Sequence, residues 1–191
     1  DEADEDRPRA LVVDDEREVA DAYALRVRGL TEVETAYGGE EALRAVEDRE
    51  FDVVLLDRHM PGLSGDEVLT RLDEGDFDGR VIMVTAIDPD FDVLDMPFDD
   101  YLCKPVDRED VRAAVTHQCT VLGYEILGEY FGVESKRRII EAELSADERE
   151  SHDEFQETKA KAERLERRAR RLLGDAADAL DDFEAIGRES E

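Results

Sequence analysis

Two uninterrupted apolar runs, Val53–Leu56 and Val81–Val84, constrain the fold of this chain more than any other feature. Both are short and rich in branched side chains, and charged residues flank them, as is typical of strands covered on both faces. Such strands occur in parallel sheets that carry helices on either side. The two runs therefore predict an α/β domain with a parallel sheet.

The region around these runs alternates between strand-like and helix-like patterns, which favours a doubly wound sheet. Ser64-Gly-Asp-Glu67 forms a capping-box pattern that predicts the start of a third helix. A fourth helix has room for two turns at most, because Pro89 can open it but Pro97 must end it. The predicted class is a five-stranded parallel doubly wound (flavodoxin-like) sheet, with strands at Ala10–Val13, Glu32–Ala36, Val53–Leu56, Val81–Val84 and Asp100–Cys103.

Strand patterns disappear after Pro105, and the remainder predicts an all-helical C-terminal extension. Asp107 is a candidate cap, and one apolar stripe then continues at spacings of three and four. Gly132 is a candidate stop, so that a second helix would begin at Ser135. Ser145 and Ser151 each open a further capping-box pattern. The stripe consists of Val115, Cys119, Leu122, Ile126, Tyr130 and Val133.

From Phe155 the apolar spacing becomes heptad-like and rich in alanine, which predicts close packing against a partner helix. The sequence leaves open whether that helix belongs to the same chain or to a second copy. We call this set the alanine seam: Phe155, Thr158, Ala162, Leu165, Ala169, Leu172, Ala176, Ala179, Phe183 and Ile186. The expected domains are an acidic disordered arm (1–8), an α/β domain (9–120) and a helical, coiled-coil-like module (121–191).

The chain is strongly acidic, with 54 Asp and Glu against 25 Lys and Arg and a formal charge of −29. An acidic tail for a basic partner and a surface adapted to concentrated salt are the two interpretations. The acids are spread along the whole chain, which favours the halophilic surface. No run approaches the ~20 apolar residues of a membrane span, so we expect a soluble, cytoplasmic protein without membrane contact.

Polar residues follow four of the predicted strands at their carboxyl ends, where doubly wound sheets bind ligands. Asp14-Asp15, Asp57, Thr85 and Lys104 would meet at this edge. Each alone fits a turn, a cap or a bend. Together they indicate a site for a divalent cation and a phosphoryl group, with Asp57 as nucleophile. Three carboxylates in one crevice repel each other, so at least one should have a raised pKa when no cation is bound.

The motifs around these residues resemble the receiver domains of response regulators over residues 9 to about 120. They are Val-Val-Asp-Asp-Glu, Val-Val-Leu-Leu-Asp-Arg-His-Met-Pro-Gly-Leu-Ser-Gly, Val-Thr-Ala and Asp-Tyr-Leu-Cys-Lys-Pro. The resemblance implies that Asp57 accepts phosphate from a sensor histidine kinase. It also implies that the protein is no enzyme beyond its own phosphorylation and dephosphorylation.

The resemblance also implies a role for each site residue. Mg²⁺ would be held by Asp15, Asp57 and the backbone carbonyl of His59, with Asp14 acting through water. Thr85 and Lys104 would contact the phosphoryl oxygens. Thr85 and Tyr101 would form the switch, although Tyr101 also fits an ordinary edge-strand aromatic.

The C-terminal extension is similar to the HalX-type module of haloarchaeal regulators, on the basis of Tyr-Phe-Gly-Val-Glu-Ser-Lys-Arg and of the short approach to the fifth strand. Transcriptional control and a homodimer through the C-terminal helices are the expected outputs, with DNA or protein contact left open. A basic run, residues 159–171, could meet phosphate but fits a solvated helix face better.

Two other functions fit parts of the pattern. A phosphatase of the haloacid-dehalogenase type also uses an aspartyl phosphate, Mg²⁺, Thr and Lys, but its nucleophile lies on the first strand as Asp-x-Asp. A receiver that works as a non-phosphorylated scaffold is the second alternative. All the phosphorylation positions are present, which disfavours it.

Overall fold

The computed structural model describes residues 7–178, 180 and 181. The chain divides into two compact units, Asp1–Cys119 and Thr120–Glu191. Most of the predicted acidic arm, residues 1–6, lies outside the described residues.

The first unit is built on one five-stranded parallel sheet with the order β2-β1-β3-β4-β5. This is the order of a flavodoxin-like doubly wound sheet. Both continuous apolar runs lie in neighbouring inner strands, where their side chains are buried. The predicted fold class is therefore confirmed, with strands β1 (Arg9–Val13), β2 (Glu32–Ala36), β3 (Val53–Leu56), β4 (Arg80–Thr85) and β5 (Asp100–Cys103).

Three helices of this unit alternate with the first four strands: α1 (Arg17–Val27), α2 (Gly39–Asp48) and α3 (Gly65–Glu74). The predicted capping box starts α3, since the Ser64 hydroxyl accepts the Glu67 N–H and the Glu67 carboxylate accepts the Ser64 N–H. Val68, Leu69 and Leu72 of α3 enter the core beneath the sheet. The capping residues thus fix where α3 begins, directly beyond the loop that follows β3.

The segment between β4 and β5 forms only a short 3-10 helix, Phe91–Asp95. This agrees with the limit of two turns set by Pro89 and Pro97. Its Asp90 side chain accepts the Phe91 N–H at 2.7 Å. Phe91 is 84% exposed and Leu94 is 77% exposed, so the segment contributes little to the core.

The helix that follows β5 is longer than the sequence indicated, and the last long helix is shorter. Helix α4 runs from Arg108 to Glu143, followed by α5 (Ala146–Ser151), α6 (Asp153–Leu173) and a 3-10 turn (Gly174–Ala177). Asp107 caps α4 by accepting the Asp110 N–H at 2.9 Å. The first five residues of the predicted stripe are buried and Val133 is half-buried, so the stripe is confirmed.

The prediction that Gly132 ends a helix is wrong, and so is the capping box predicted at Ser151. Helix α4 passes through Gly132, because burial of its apolar stripe outweighs the ~1 kcal/mol helix propensity lost at a glycine. Beyond this point Glu134 forms ion pairs with Arg137 and Arg138 on the same helix. At the second site, the Ser151 hydroxyl donates to the Glu148 carbonyl, and His152 takes the N-cap position.

The alanine seam is confirmed only as far as Leu172. Helix α6 ends at Leu173 with Gly174 at φ +53°, which changes the phase of the pattern. Ala176 is exposed as a result, and Ala177 and Leu180 are buried instead. The predicted seam residues Ala179, Phe183 and Ile186 lie outside the described residues.

The seam meets a partner helix in the same chain. A Cβ on Gly123 of α4 would lie 2.6 Å from Leu173 Cδ2 and 3.1 Å from Leu172 Cβ, so the two helices approach closely there. Lys161 of α6 also pairs with Glu129 of α4 at 2.7 Å. None of the described helices has both the length and the apolar character that are needed to cross a membrane.

Gly123 and Gly128 should respond oppositely to alanine. Nothing lies within 4 Å of a Cβ on Gly128, so Gly128→Ala should raise the free energy of unfolding by ~0.5–1 kcal/mol through helix propensity. Gly123→Ala should lower it by ~1–3 kcal/mol, because the added methyl overpacks the contact with Leu172 and Leu173. Urea denaturation at constant salt measures both, and a stabilising Gly123→Ala would contradict the described packing.

Candidate functional site

The carboxyl ends of four neighbouring strands bring the predicted site residues to one edge of the sheet. Asp14 follows β1, Asp57 follows β3, Thr85 ends β4 and Lys104 follows β5. Backbone hydrogen bonds extend the strand pairing to these positions, from the Asp57 N–H to the Val13 carbonyl at 2.9 Å and from the Lys104 N–H to the Thr85 carbonyl at 2.8 Å. The parallel register thus aligns residues that are far apart in the sequence.

Three carboxylates crowd together at this edge. Asp14, Asp15 and Asp57 each offer an oxygen, and these oxygens all lie within 4.8 Å of one another. Asp14 and Asp57 are buried, while Asp15 is half-buried. Clustered carboxylate oxygens are hard donors of the type that Mg²⁺ prefers, so this donor set fits a magnesium ion.

Lys104 supplies the positive charge of the cluster. Its Nζ donates to Asp14 Oδ2 at 2.5 Å and lies 3.5 Å from Asp57 Oδ1. Burial lowers the pKa of Lys104, but its hydrogen bond to Asp14 and the charges of Asp57 and Asp14 outweigh this effect, so that its pKa is raised. Lys104 therefore stays protonated and lies ready to contact an anion bound at Asp57.

The pKa of the Asp57 carboxyl is raised, and burial is the largest cause. The positive charge of Lys104 opposes the shift, the negative charge of Asp14 adds to it, and hydrogen bonds from the Thr85 hydroxyl and the Arg58 N–H lower it in part. The direction of the pKa shift expected for one crowded carboxyl is found at Asp57, but burial contributes more to it than the charge of Asp14 does. A buried, poorly neutralised carboxylate is a reactive group once a cation offsets its neighbours.

Thr85 and Tyr101 are linked through the backbone of Ile87. Thr85 is fully buried, and its hydroxyl accepts the Ile87 N–H at 3.3 Å. The Tyr101 hydroxyl donates to the Ile87 carbonyl at 2.8 Å, and its ring packs against Phe98 with a centroid distance of 5.4 Å. A displacement of Thr85 would therefore reach Tyr101 through two hydrogen bonds.

His59 lies in the loop after Asp57, and its side chain is exposed. Only its backbone carbonyl was assigned a role, and that role stays a prediction. Tyr23 of α1 is one residue that the sequence analysis did not assign to the site. Its hydroxyl accepts the Val106 N–H at 3.3 Å, and Lys104 Nζ lies 5.9 Å from its ring centroid, so Tyr23 forms part of the wall beside Lys104.

Arg58 is the second residue that the sequence reasoning missed. It directly follows Asp57, and its side chain forms ion pairs with Asp66 of α3 and with Asp92 of the 3-10 segment. The hydrogen bonds with Asp66, and then those with Asp92, raise the pKa of Arg58 against the opposing effect of burial. The only sequence signal was a cation next to a buried acid, which by itself does not identify its partners.

Comparison with known proteins points to one family. The model of the response regulator receiver domain matches residues 10–116, and the model of the HalX domain matches residues 120–187. A putative transcriptional regulator of Haloferax volcanii is 46% identical over 134 residues, which cover 69% of this chain and 23% of that protein. The transcriptional regulatory protein PhoP of Bacillus subtilis is 38% identical over 112 residues, covering 56% of this chain and 46% of PhoP. The chain thus spans less than half the length of these two relatives.

Solved structures agree with this result. The response regulator TrrA of Thermotoga maritima, determined in complex with Mg²⁺ and BeF, superposes with a TM-score of 0.52 at 32% identity, covering 58% of this chain and 98% of TrrA. The haloarchaeal relative also fits the acidic composition. From its strand order, its motifs and its match over 107 of 191 residues (10–116), this chain belongs to the response regulator family, with a receiver domain followed by a HalX domain.

Proposed function

We propose that this chain is the phosphorylated component of a two-component system and that Asp57 accepts the phosphoryl group from a sensor histidine kinase. The observation that carries the proposal is the position of Asp57: a buried carboxylate beside Asp14, Asp15 and the Lys104 ammonium, at the open edge of a parallel sheet. The family membership supports the same assignment. No other described carboxylate combines these neighbours.

The reaction follows from these groups. A carboxylate oxygen of Asp57 attacks the phosphorus of the phosphohistidine, the P–N bond breaks, and its electron pair returns to the imidazole of the kinase. The product is an aspartyl phosphate on Asp57. The Lys104 ammonium and the Thr85 hydroxyl are close enough to Asp57 to contact the new phosphoryl oxygens, Lys104 by charge and Thr85 as a hydrogen-bond donor.

Asp14, Asp15, Asp57 and the carbonyl of His59 would hold Mg²⁺ in this proposal. The bound ion supplies positive charge that offsets the carboxylates and the transferring oxygens. Lys104 alone leaves the pKa of Asp57 raised, which is the electrostatic reason for a second cation at this site. We therefore expect phosphorylation to depend on magnesium.

The alternative of a haloacid-dehalogenase-type phosphatase receives less support. Its nucleophile would follow the first strand as Asp-x-Asp, whereas β1 here leads into the adjacent pair Asp14-Asp15. Asp57 follows the third strand instead. A non-phosphorylated scaffold would not need the buried charges of Asp57 and Lys104, which are costly to retain without a function.

The output is proposed to be transcriptional control through the HalX domain, because relatives of the receiver are named transcriptional regulators. Direct DNA binding by the basic run is less favoured, since Lys161 and Arg170 pair with acids. A homodimer through the C-terminal helices remains part of the proposal. Most of the seam is buried within the chain, so the exposed Tyr124, Ile139 and Ile140 are the better contact surface.

Phosphorylation at Asp57 has a direct test. Asp57→Asn should abolish labelling by a radioactive small-molecule acyl phosphate in the presence of MgCl₂, because the amide is not a nucleophile. Asp15→Ala should abolish it through loss of a cation ligand. Asp73→Asn, an exposed residue of α3, should label like the parent protein. Labelling that persists in Asp57→Asn would refute the assignment.

Removing the acceptor charge should stabilise the fold when no divalent cation is present. The folded pKa of Asp57 is raised, so this carboxyl lowers stability as pH rises from its unfolded pKa of ~3.9 through the folded value. Asp57→Asn should therefore raise the free energy of unfolding at neutral pH, whereas Asp73→Asn, at an exposed position of α3, should change it by no more than ~0.5 kcal/mol. The gain should vanish below the unfolded pKa.

The same denaturation experiment, repeated with MgCl₂, tests whether the cation binds at Asp57. Adding MgCl₂ should stabilise the parent protein, since a ligand that binds only the folded state shifts the equilibrium. It should stabilise Asp57→Asn less, because one ligand is missing. Equal stabilisation of the two proteins would place the ion elsewhere.

Self-association is tested on the exposed apolar residues of the C-terminal unit. Ile139→Glu should weaken any dimer seen by sedimentation, because it adds a charge to that surface. Leu25→Glu, at a comparably exposed leucine of α1, is the matched control. If both variants sediment as the parent does, this surface is not the dimer contact.

A further inference from the structure

The guanidinium of Arg58 joins three segments of the receiver that are distant in sequence. Its Nε donates to Asp66 Oδ1 at 2.9 Å, and its Nη2 donates to Asp66 Oδ2 at 3.2 Å, which fixes it to the first turn of α3. The same Nη2 donates to Asp92 of the 3-10 segment. The Arg58 side chain is only 11% exposed, so these contacts are partly shielded from water.

The backbone of Arg58 is equally constrained. Its carbonyl accepts the Gly65 N–H at 2.9 Å, and its N–H lies close enough to the Asp57 carboxyl to lower the pKa of that group. A Cβ on Gly65 would collide with the Asp57 carbonyl oxygen and lie 2.8 Å from Arg58 Cα, so α3 rests directly on this peptide. The main chain at Arg58 cannot shift freely. A structural change at Asp57 would therefore reach the 3-10 segment through the Arg58 side chain.

Two hydrogen bonds and two neighbouring side-chain pairs form a circuit between Arg58 and the acceptor. The Thr85 hydroxyl, which lowers the pKa of Asp57, accepts the Ile87 N–H at 3.3 Å, and the Ile87 carbonyl accepts the Tyr101 hydroxyl at 2.8 Å. The Tyr101 side chain also raises the pKa of Arg58, the residue next to Asp57, so the two side chains are neighbours. The circuit therefore leaves Asp57 through its side chain and returns through the backbone.

We propose that Arg58 is a positioning residue of the acceptor site: by tying Asp92 and Tyr101 to the peptide beside Asp57, it holds the receiver in its unphosphorylated arrangement. The inference rests on the proposed phosphorylation of Asp57. Movement of Thr85 toward a new phosphoryl group breaks the circuit at Ile87. The Arg58–Asp92 ion pair can then open, and its opening frees the 3-10 segment to move.

Of the two ion pairs of Arg58, the one with Asp92 is expected to break first. Asp66 is held by two donors of Arg58, and its helix is anchored in the core, whereas Asp92 is about half-exposed on a five-residue segment with exposed Phe91 and Leu94. An exposed ion pair is weak, so its loss should change the equilibrium between the two arrangements by only about 1.5- to 5-fold. An effect of this size is measurable and suits a regulatory contact.

The test compares the initial rate of Asp57 labelling by a small-molecule acyl phosphate, with MgCl₂ at constant ionic strength. Asp92→Asn should label about 1.5- to 5-fold faster than the parent protein, because the unphosphorylated arrangement loses a contact. Asp92→Glu keeps the charge and should restore the parent rate. Glu34→Gln, which weakens the ion pair between Glu34 and Arg49 away from the acceptor, is the matched control and should leave the rate unchanged.

A double variant separates positioning from a general loss of stability. Tyr101→Phe removes the hydroxyl from the circuit, so the effects of Asp92→Asn and Tyr101→Phe should be less than additive. The urea midpoints of Asp92→Asn and Glu34→Gln should agree, since both lose one surface ion pair. Additive effects, or an Asp92→Asn rate equal to that of Glu34→Gln, would overturn the role of Arg58. Absence of labelling in the parent protein would instead refute the proposed function.

Discussion

The ion pair between Lys104 and Asp14 spans 90 positions of the sequence, and the rest of the site depends on it. It forms because β1, β3, β4 and β5 lie side by side in parallel register, so that their carboxyl ends share one edge. Without Lys104, the carboxylates of Asp14, Asp15 and Asp57 would face one another with no positive charge among them. The pKa of Asp57 is still raised, mainly by burial and in smaller part by the charge of Asp14, and the charge of Lys104 offsets only part of this.

The acidic composition has a different consequence in each unit. In the receiver it leaves Arg58 with two acidic partners at once, from α3 and from the 3-10 segment. In the C-terminal unit it supplies partners for cations along the helices: Glu134 for Arg137 and Arg138, Glu129 for Lys161, and Glu166 and Asp181 for Arg170. Concentrated salt screens exposed pairs over a few ångströms, so the more buried Glu134 cluster should persist best.

Four glycines of the chain, Gly65, Gly123, Gly128 and Gly132, illustrate how context decides the role of a residue. Gly65 is required because α3 begins against the peptide after Asp57, where a Cβ has no room. Gly123 lets Leu172 and Leu173 approach α4, whereas Gly128 meets nothing and only lowers helix propensity. Helix propensity alone cannot distinguish Gly123 and Gly128 from a true helix end, and for the same reason α4 was expected to stop at Gly132 but continues to Glu143.

The sequence by itself determined the parallel sheet, the capping box at Ser64, the limit of two helical turns between β4 and β5, and the four strand-end positions of the site. These features depend on local patterns: uninterrupted apolar runs, fixed proline geometry, and the rule that parallel strands end at one edge. Only the tertiary structure decided that the seam of α6 packs within its own chain, that its phase breaks at Gly174, and that Arg58 meets Asp66 and Asp92. The physical reason is that an ion pair or a helix contact depends on distances between residues remote in sequence, and no local spacing encodes those distances.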